Sequence, residues 1–213
     1  MDIARPGLTF GAEGAKKRRS VGRPLLAVLV VAGVMAVTAY FTWESFVYLP
    51  PEADASSALP GEFHPSQGNL HIQNGGAFKA YSTNPPTSGP HWLGGAAFLT
   101  PKGRVVSIPP AWGVYDEELP LQALVHAEEH GGVIVWYDEA AGCGADCQQS
   151  LSGLVIRLVE RGRHVILVPY HGLANPVVIT AWTRLQPLNS ADIGAISQFV
   201  TAHDLRYNPE GLR

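Results

Sequence analysis

The chain has 213 residues, which leaves about 150 for one ordinary domain once an apolar N-terminal segment is set aside. A formal net charge of −3 with 15% charged residues gives neither a nucleic-acid footprint nor a strongly acidic surface. No G-x-x-x-x-G-K-[ST], G-x-G-x-x-G or G-x-S-x-G pattern occurs, so nucleotide binding and the common serine hydrolase layout lack support.

Residues 1–23 carry Lys16, Lys17, Arg18, Arg19 and Arg23 without apolar periodicity, and read as a basic cytoplasmic tail able to touch anionic lipid. From Leu25 to Trp43 there are 19 uncharged residues, close to the roughly 20 that cross the bilayer as a helix, so 24–46 is expected to be a single transmembrane helix. The positive flank precedes it and the first charge after it is Glu44, which orients the N-terminus to the cytoplasm and the rest to the periplasmic or extracellular side of the cell (inner) membrane. A cleaved secretory signal is the competing reading, but its apolar core is shorter, about 7–15 residues, and ends in small residues, whereas this one exits through Trp43, Phe46 and Tyr48. Both readings deliver the downstream domain to the same compartment.

Residues 47–68 are rich in Pro, Ser, Ala and Gly and read as a linker; 69–213 form the extracytoplasmic globular domain. Turn-formers are dense from 69 to 115, and NPPTSGPHW at 84–92 is expected to be a rigid loop. Glu117–His130 is predicted as a helix with Pro120 in its first turn and Gly131 and Gly132 as its stop. GVIVWYD then reads as a buried strand. A second helix is predicted from Asp146 to Gly162, with Leu151, Leu154, Val155, Leu158 and Val159 on one stripe. HVILVPY and VVITAW are two more strands, separated by HGLANP, and Ser190 or Asp192 opens a last helix carrying Ile193, Ile196 and Phe199. This order predicts an α/β or α+β domain, one compact mixed sheet-and-helix unit with at least three strands.

YSTNPPTSGPHW, GVYDEELPLQALVHAEEHGGVIVWYD, VVITAWTR and RYNPEG together resemble the bacterial family catalogued as domain of unknown function 3105, over about residues 81–213. The resemblance implies a membrane-anchored or exported protein and assigns no activity. EAAGCGADCQQ at 139–149 departs from the family's pattern, so a role for its cysteines draws nothing from the resemblance.

The segment LVHAEEHGG puts His126 and His130 four residues apart on one helix face, a spacing at which two neutral imidazoles can clamp a zinc or copper ion. Leu119, Ala123, His126 and His130 share a stripe opposite Leu121, Leu124, Val125 and Glu128, so the aliphatic stripe is expected to face the core and the imidazoles another part of the domain or water. His91 in SGPHW and His171 in PYHGL, both in loops, are the expected further ligands. The plainer alternative is that each imidazole bonds a backbone carbonyl and caps the helix C-terminus. His126, Glu129 and His130 also spell H-x-x-E-H, in which the glutamate of a zinc hydrolase activates a metal-bound water.

Cys143 and Cys147 are expected to form a local disulfide outside the cytoplasm; the alternative is a pair of thiolates at a helix N-terminus, suited to copper handling or redox work. The leading expectation is a non-enzymatic membrane-tethered domain, partnered by the lipid bilayer and not by nucleic acid, whose His126/His130 helix with His91 and His171 forms a polar or metal-binding site, copper or zinc being the ion in the second case. An accessory subunit of a larger membrane protein complex is the second expectation, and a zinc-dependent hydrolase comes last.

Overall fold

A computed structural model of the chain describes residues 30–35 and 58–208. Residues 30–35 are helical; the rest of the expected span at 24–46, the basic tail and linker residues 47–57 lie outside the described residues. Among the described residues no helix is long and apolar enough to cross a membrane.

Residues 58–208 make a mixed α/β domain. The strands are β1 (Glu62–Phe63), β2 (His71–Ile72), β3 (His91–Trp92), β4 (Ala96–Leu99), β5 (Val105–Ile108), β6 (Gly113–Val114), β7 (Val133–Tyr137), β8 (Val165–Pro169), β9 (Val177–Ala181) and β10 (Arg184–Leu188). The helices are α1 (Leu121–Glu129), α2 (Ala145–Glu160) and α3 (Ile193–His203). A six-stranded sheet runs in the order β1-β10-β9-β7-β8-β6. β6, β7 and β8 are parallel, and α2 supplies the crossover that two parallel neighbours such as β7 and β8 require. β9, β10 and β1 extend the sheet in antiparallel fashion.

The continuous apolar runs of β7, β8 and β9 follow from burial on both faces. Val133 and Val135 point to one face, where Leu151, Leu154 and Val155 of α2 and Ile196, Phe199 and Val200 of α3 cover them. Ile134 and Trp136 point to the other, against Leu124 and Ala127 of α1 and Val106 of β5.

The three expected strands and three expected helices are present, with shifted ends. α1 starts at Leu121 because Pro120 holds an extended backbone, φ −55 and ψ 129, and Glu117–Leu119 stay outside the helix. α2 is capped by Gly144 instead of Asp146, whose carboxylate lies in the first turn. Asp192 does cap α3, its side chain accepting from the Ala195 N–H at 2.9 Å. β10 lies outside the expected strands; Pro187 within it is tolerated because β1 pairs only with Arg184 and Leu185. The β4–β5 hairpin likewise lies in the region read as loop.

The corner after α1 is tightly fitted. Gly131 has φ +82, and a Cβ there would meet Leu205 Cα at 2.6 Å; one on Gly132 would meet the Trp112 ring at 2.6 Å.

Candidate metal centre

Three elements meet over the outer side of α1. β2 and β3 form a short parallel ladder whose register pairs His71 with His91, so the two imidazoles lie side by side, ring centroids 4.5 Å apart. α1 and its C-cap residue present His126, Glu129 and His130, a set spaced i, i+3 and i+4 and therefore on one face. The His126 ring lies 5.1 Å from that of His91, 5.2 Å from that of His71, and stacks on that of His130 at 4.7 Å. Two overlapping triads result, His71–His91–His126 and His126–Glu129–His130, each with one ligand atom per residue and all three within 4.8 Å of one another.

α1 is buried on all sides, from Ala123 through Glu129, and the imidazole stripe does not face water as the two-stripe reading allowed. His91 is 0% exposed, His126 3% and Glu129 1%. The loop expected at 84–92 supplies this cover. It is held by Tyr81 Oη donating to Pro90 O at 2.7 Å, Gln67 N–H to Ser88 Oγ at 3.0 Å and Thr183 N–H to Thr87 O at 2.9 Å.

The hydrogen bonds fix which ring nitrogen carries a proton. A backbone carbonyl only accepts, so His91 donates from Nδ1 to Gly89 O at 2.8 Å, and His126 donates from Nδ1 to Trp92 O. In the neutral ring Nε2 is then a bare lone pair. That of His126 faces His130 Nε2 at 2.8 Å. That of His91 faces Glu129 Oε2 at 2.8 Å, with His71 Nε2 at 3.4 Å from the same oxygen. A lone pair aimed at a carboxylate oxygen is repulsive unless a cation stands between them, either a second ring proton or a metal ion. Burial is the main influence on His126 and lowers its pKa to about 4, against the opposing pull of the Trp92 carbonyl, so this ring is neutral at ordinary pH. For Glu129, burial pushes the carboxyl up, but a hydrogen bond from a second ring proton on His91, nearby His71 and the Asn69 side chain outweigh it and hold the group below its usual value.

Glu128 points the other way, into the sheet. Its Oε1 accepts from the Thr180 hydroxyl, which in turn accepts from Trp136 Nε1 at 2.7 Å. Burial drives its pKa far up, so the residue is a neutral acid, and its Oε2 has no hydrogen-bond partner among the described residues.

The structure thus brings His91, His126 and His130 together. His171 is not: it is exposed, its Nδ1 bonded to Glu118 Oε1 at 2.6 Å, on the rim of a cleft of about 460 Å³ beside Tyr137 and Asp138. HGLANP joins β8 to β9 at the carboxyl end of β8, and the register of the sheet holds it there. His71 takes the place expected for His171. Nothing in its turn-rich surroundings marks it, since its position depends on pairing with a strand twenty residues on. Cys143 and Cys147 are joined, S–S 1.99 Å, across the start of α2, and no free cysteine remains among the described residues.

No curated protein and no solved structure matches the chain. One family model does match, over residues 71–212, a span that opens on His71 and takes in β2, β3 and α1. The chain therefore belongs to the family described as protein of unknown function (DUF3105).

Proposed function

We propose that the domain binds a single divalent transition-metal ion, copper or zinc, through His71, His91 and His126, with Glu129 and His130 completing or orienting the set. The observation that carries this reading is the pair of imidazoles whose Nδ1–H groups are tied to Gly89 O and Trp92 O, leaving Nε2 of His91 toward Glu129 and Nε2 of His126 toward His130 within two overlapping donor triads. Metal-bound histidines are oriented in this way, the far ring nitrogen donating to a carbonyl so that the near one is presented in the correct tautomer. Nitrogen donors with one carboxylate suit Zn²⁺ and Cu²⁺, and zinc–imidazole bonds of about 2.0–2.1 Å would need the donor atoms to draw in from their present spacing by small ring rotations. Glu129 is engaged with His91 and His71, which supports a part in binding over the part of a hydrolytic base.

We further propose that the domain works outside the cytoplasm, tethered through residues 24–46. The charge-free segment and the Cys143–Cys147 disulfide support this.

The test is elemental analysis of the purified full chain after loading with Zn²⁺ or Cu²⁺ and gel filtration. One equivalent is expected in the wild type and none in the His91→Ala/His126→Ala double variant, with circular dichroism confirming that the variant is folded. Metal-free wild type, or undiminished metal in a folded double variant, would overturn the reading.

A further inference from the structure

The described donors differ sharply in access. His91, His126, Glu129 and His130 are buried, whereas the His71 side chain is 29% exposed. His71 also lies on the least embedded part of the domain, since no residue from 61 to 80 is buried.

This segment is fastened most firmly toward its two ends. Gln67 and Gly68 hold one end: Gln67 donates from N–H to Ser88 Oγ at 3.0 Å and from Nε2 to Ala80 O at 3.0 Å, its Oε1 accepts from the Ser82 N–H at 2.8 Å, and Gly68 O accepts from the Gly89 N–H at 3.0 Å. Gly76 holds the other, its carbonyl accepting from Trp92 Nε1 at 2.7 Å. Between them β2 is held by a short ladder, His91 N–H to Leu70 O at 3.0 Å and Leu93 N–H to Ile72 O at 3.1 Å, and by one half-buried apolar side chain, Ile72, packed on Trp92, Ile108 and Ala123. His71 reaches inward to Glu129 Oε2 at 3.4 Å, the exposed Asn69 beside it also interacts with that carboxylate, and Leu70 between them is 65% exposed. A short ladder with little apolar burial belongs to the part of a fold that opens locally before the whole unfolds.

We infer that residues 67–76 are a strap that gates ion exchange: the metal enters and leaves when β2 lifts from β3, and His71 with Asn69 closes the site behind it. This rests on the metal-binding reading above and adds its route and its regulation. Buried His91 and His126 hold the ion and His71 is the ligand it exchanges through, so the domain suits loading and release of a divalent ion better than its permanent storage.

The experiment uses the full chain loaded with Zn²⁺, with two readouts. Release is timed by stopped-flow transfer to excess chromophoric chelator, and backbone hydrogen exchange is followed at the His91 and Leu93 amides with and without zinc. His71→Ala is expected to release zinc faster than wild type. Asn69→Ala, which keeps every imidazole, is expected to release it roughly tenfold faster. Zinc should slow exchange at both amides in the wild type. A release rate unchanged in Asn69→Ala together with zinc-independent exchange at the two amides would sink the strap while leaving the metal site standing. Failure of the wild type to take up zinc would instead remove the metal reading and the strap with it.

Discussion

Against α2 and α3 the sheet packs Val133, Val135, Leu151, Val155, Ile196 and Phe199, side chains whose only demand is to leave water. On its other face α1 and the residue after it bury His126, Glu128, Glu129 and His130 within five positions. Burying such groups opposes folding unless partners compensate them, so the first face stabilises the fold and the second uses part of that stability to hold a site. A site of this kind needs a scaffold with stability to spare.

Four substitutions measure how far the two faces are independent. The largest effect is expected from Phe199→Ala on the apolar face, a loss of about 3–5 kcal/mol in denaturant unfolding with zinc stoichiometry unchanged. Loss of metal from the folded variant would mean that the two faces are not separable.

On the polar face, Glu128→Gln is expected to stabilise the protein increasingly as pH rises. The folded state holds the Glu128 proton well above the ordinary carboxylate range, whereas the unfolded chain releases it near pH 4.3, so wild-type stability falls with rising pH by about 1.4 kcal/mol per unit until the folded-state pKa is passed. The amide substitution removes that slope. Equal pH profiles for the two proteins between about pH 5 and 8 would show Glu128 to be ionised in the fold. His126 acts in the opposite direction. Its folded pKa lies near 4, so the metal-free domain loses stability as pH falls from about 6.5 toward 4.

Asp192→Ala removes the cap of α3 and should lower stability by about 1 kcal/mol on the apolar face alone. The smallest effect is expected from His171→Ala. This ring is exposed and outside the cluster, so metal content and melting temperature should stay at wild-type values, and a drop in bound metal would return it to the site.

The regular second half of the domain was legible because its elements carry their own periodicity: GVIVWYD, HVILVPY and the Leu151–Val159 stripe announce themselves locally. β2 and β3 do not, being two residues each and defined only by each other. His126 and His130 stand out by their spacing on one helix, and His91 by its place in a rigid loop. His71 owes its position to a non-local ladder, and the same lack of local signal hid β10 behind Pro187. The His171 expectation failed for a related reason: a loop fixed by Pro and Gly can be rigid and still be at the wrong end of a strand. For α1, two facing stripes misdescribe a helix covered on every side, because the strap and loop that cover it have no helical period to read.

The corner at Gly131 and Gly132 ties α1 to a distant part of the chain. Leu205 donates its N–H to Gly131 O at 2.9 Å, and Leu205 and Tyr207 occupy the space where a side chain on Gly131 would go. The last described turn of the protein is thus a backstop for the end of α1, one residue from His130. A deletion reaching back past Leu205 would leave all the proposed ligands in place yet let the helix end drift, and ion affinity would then report on the far end of the polypeptide.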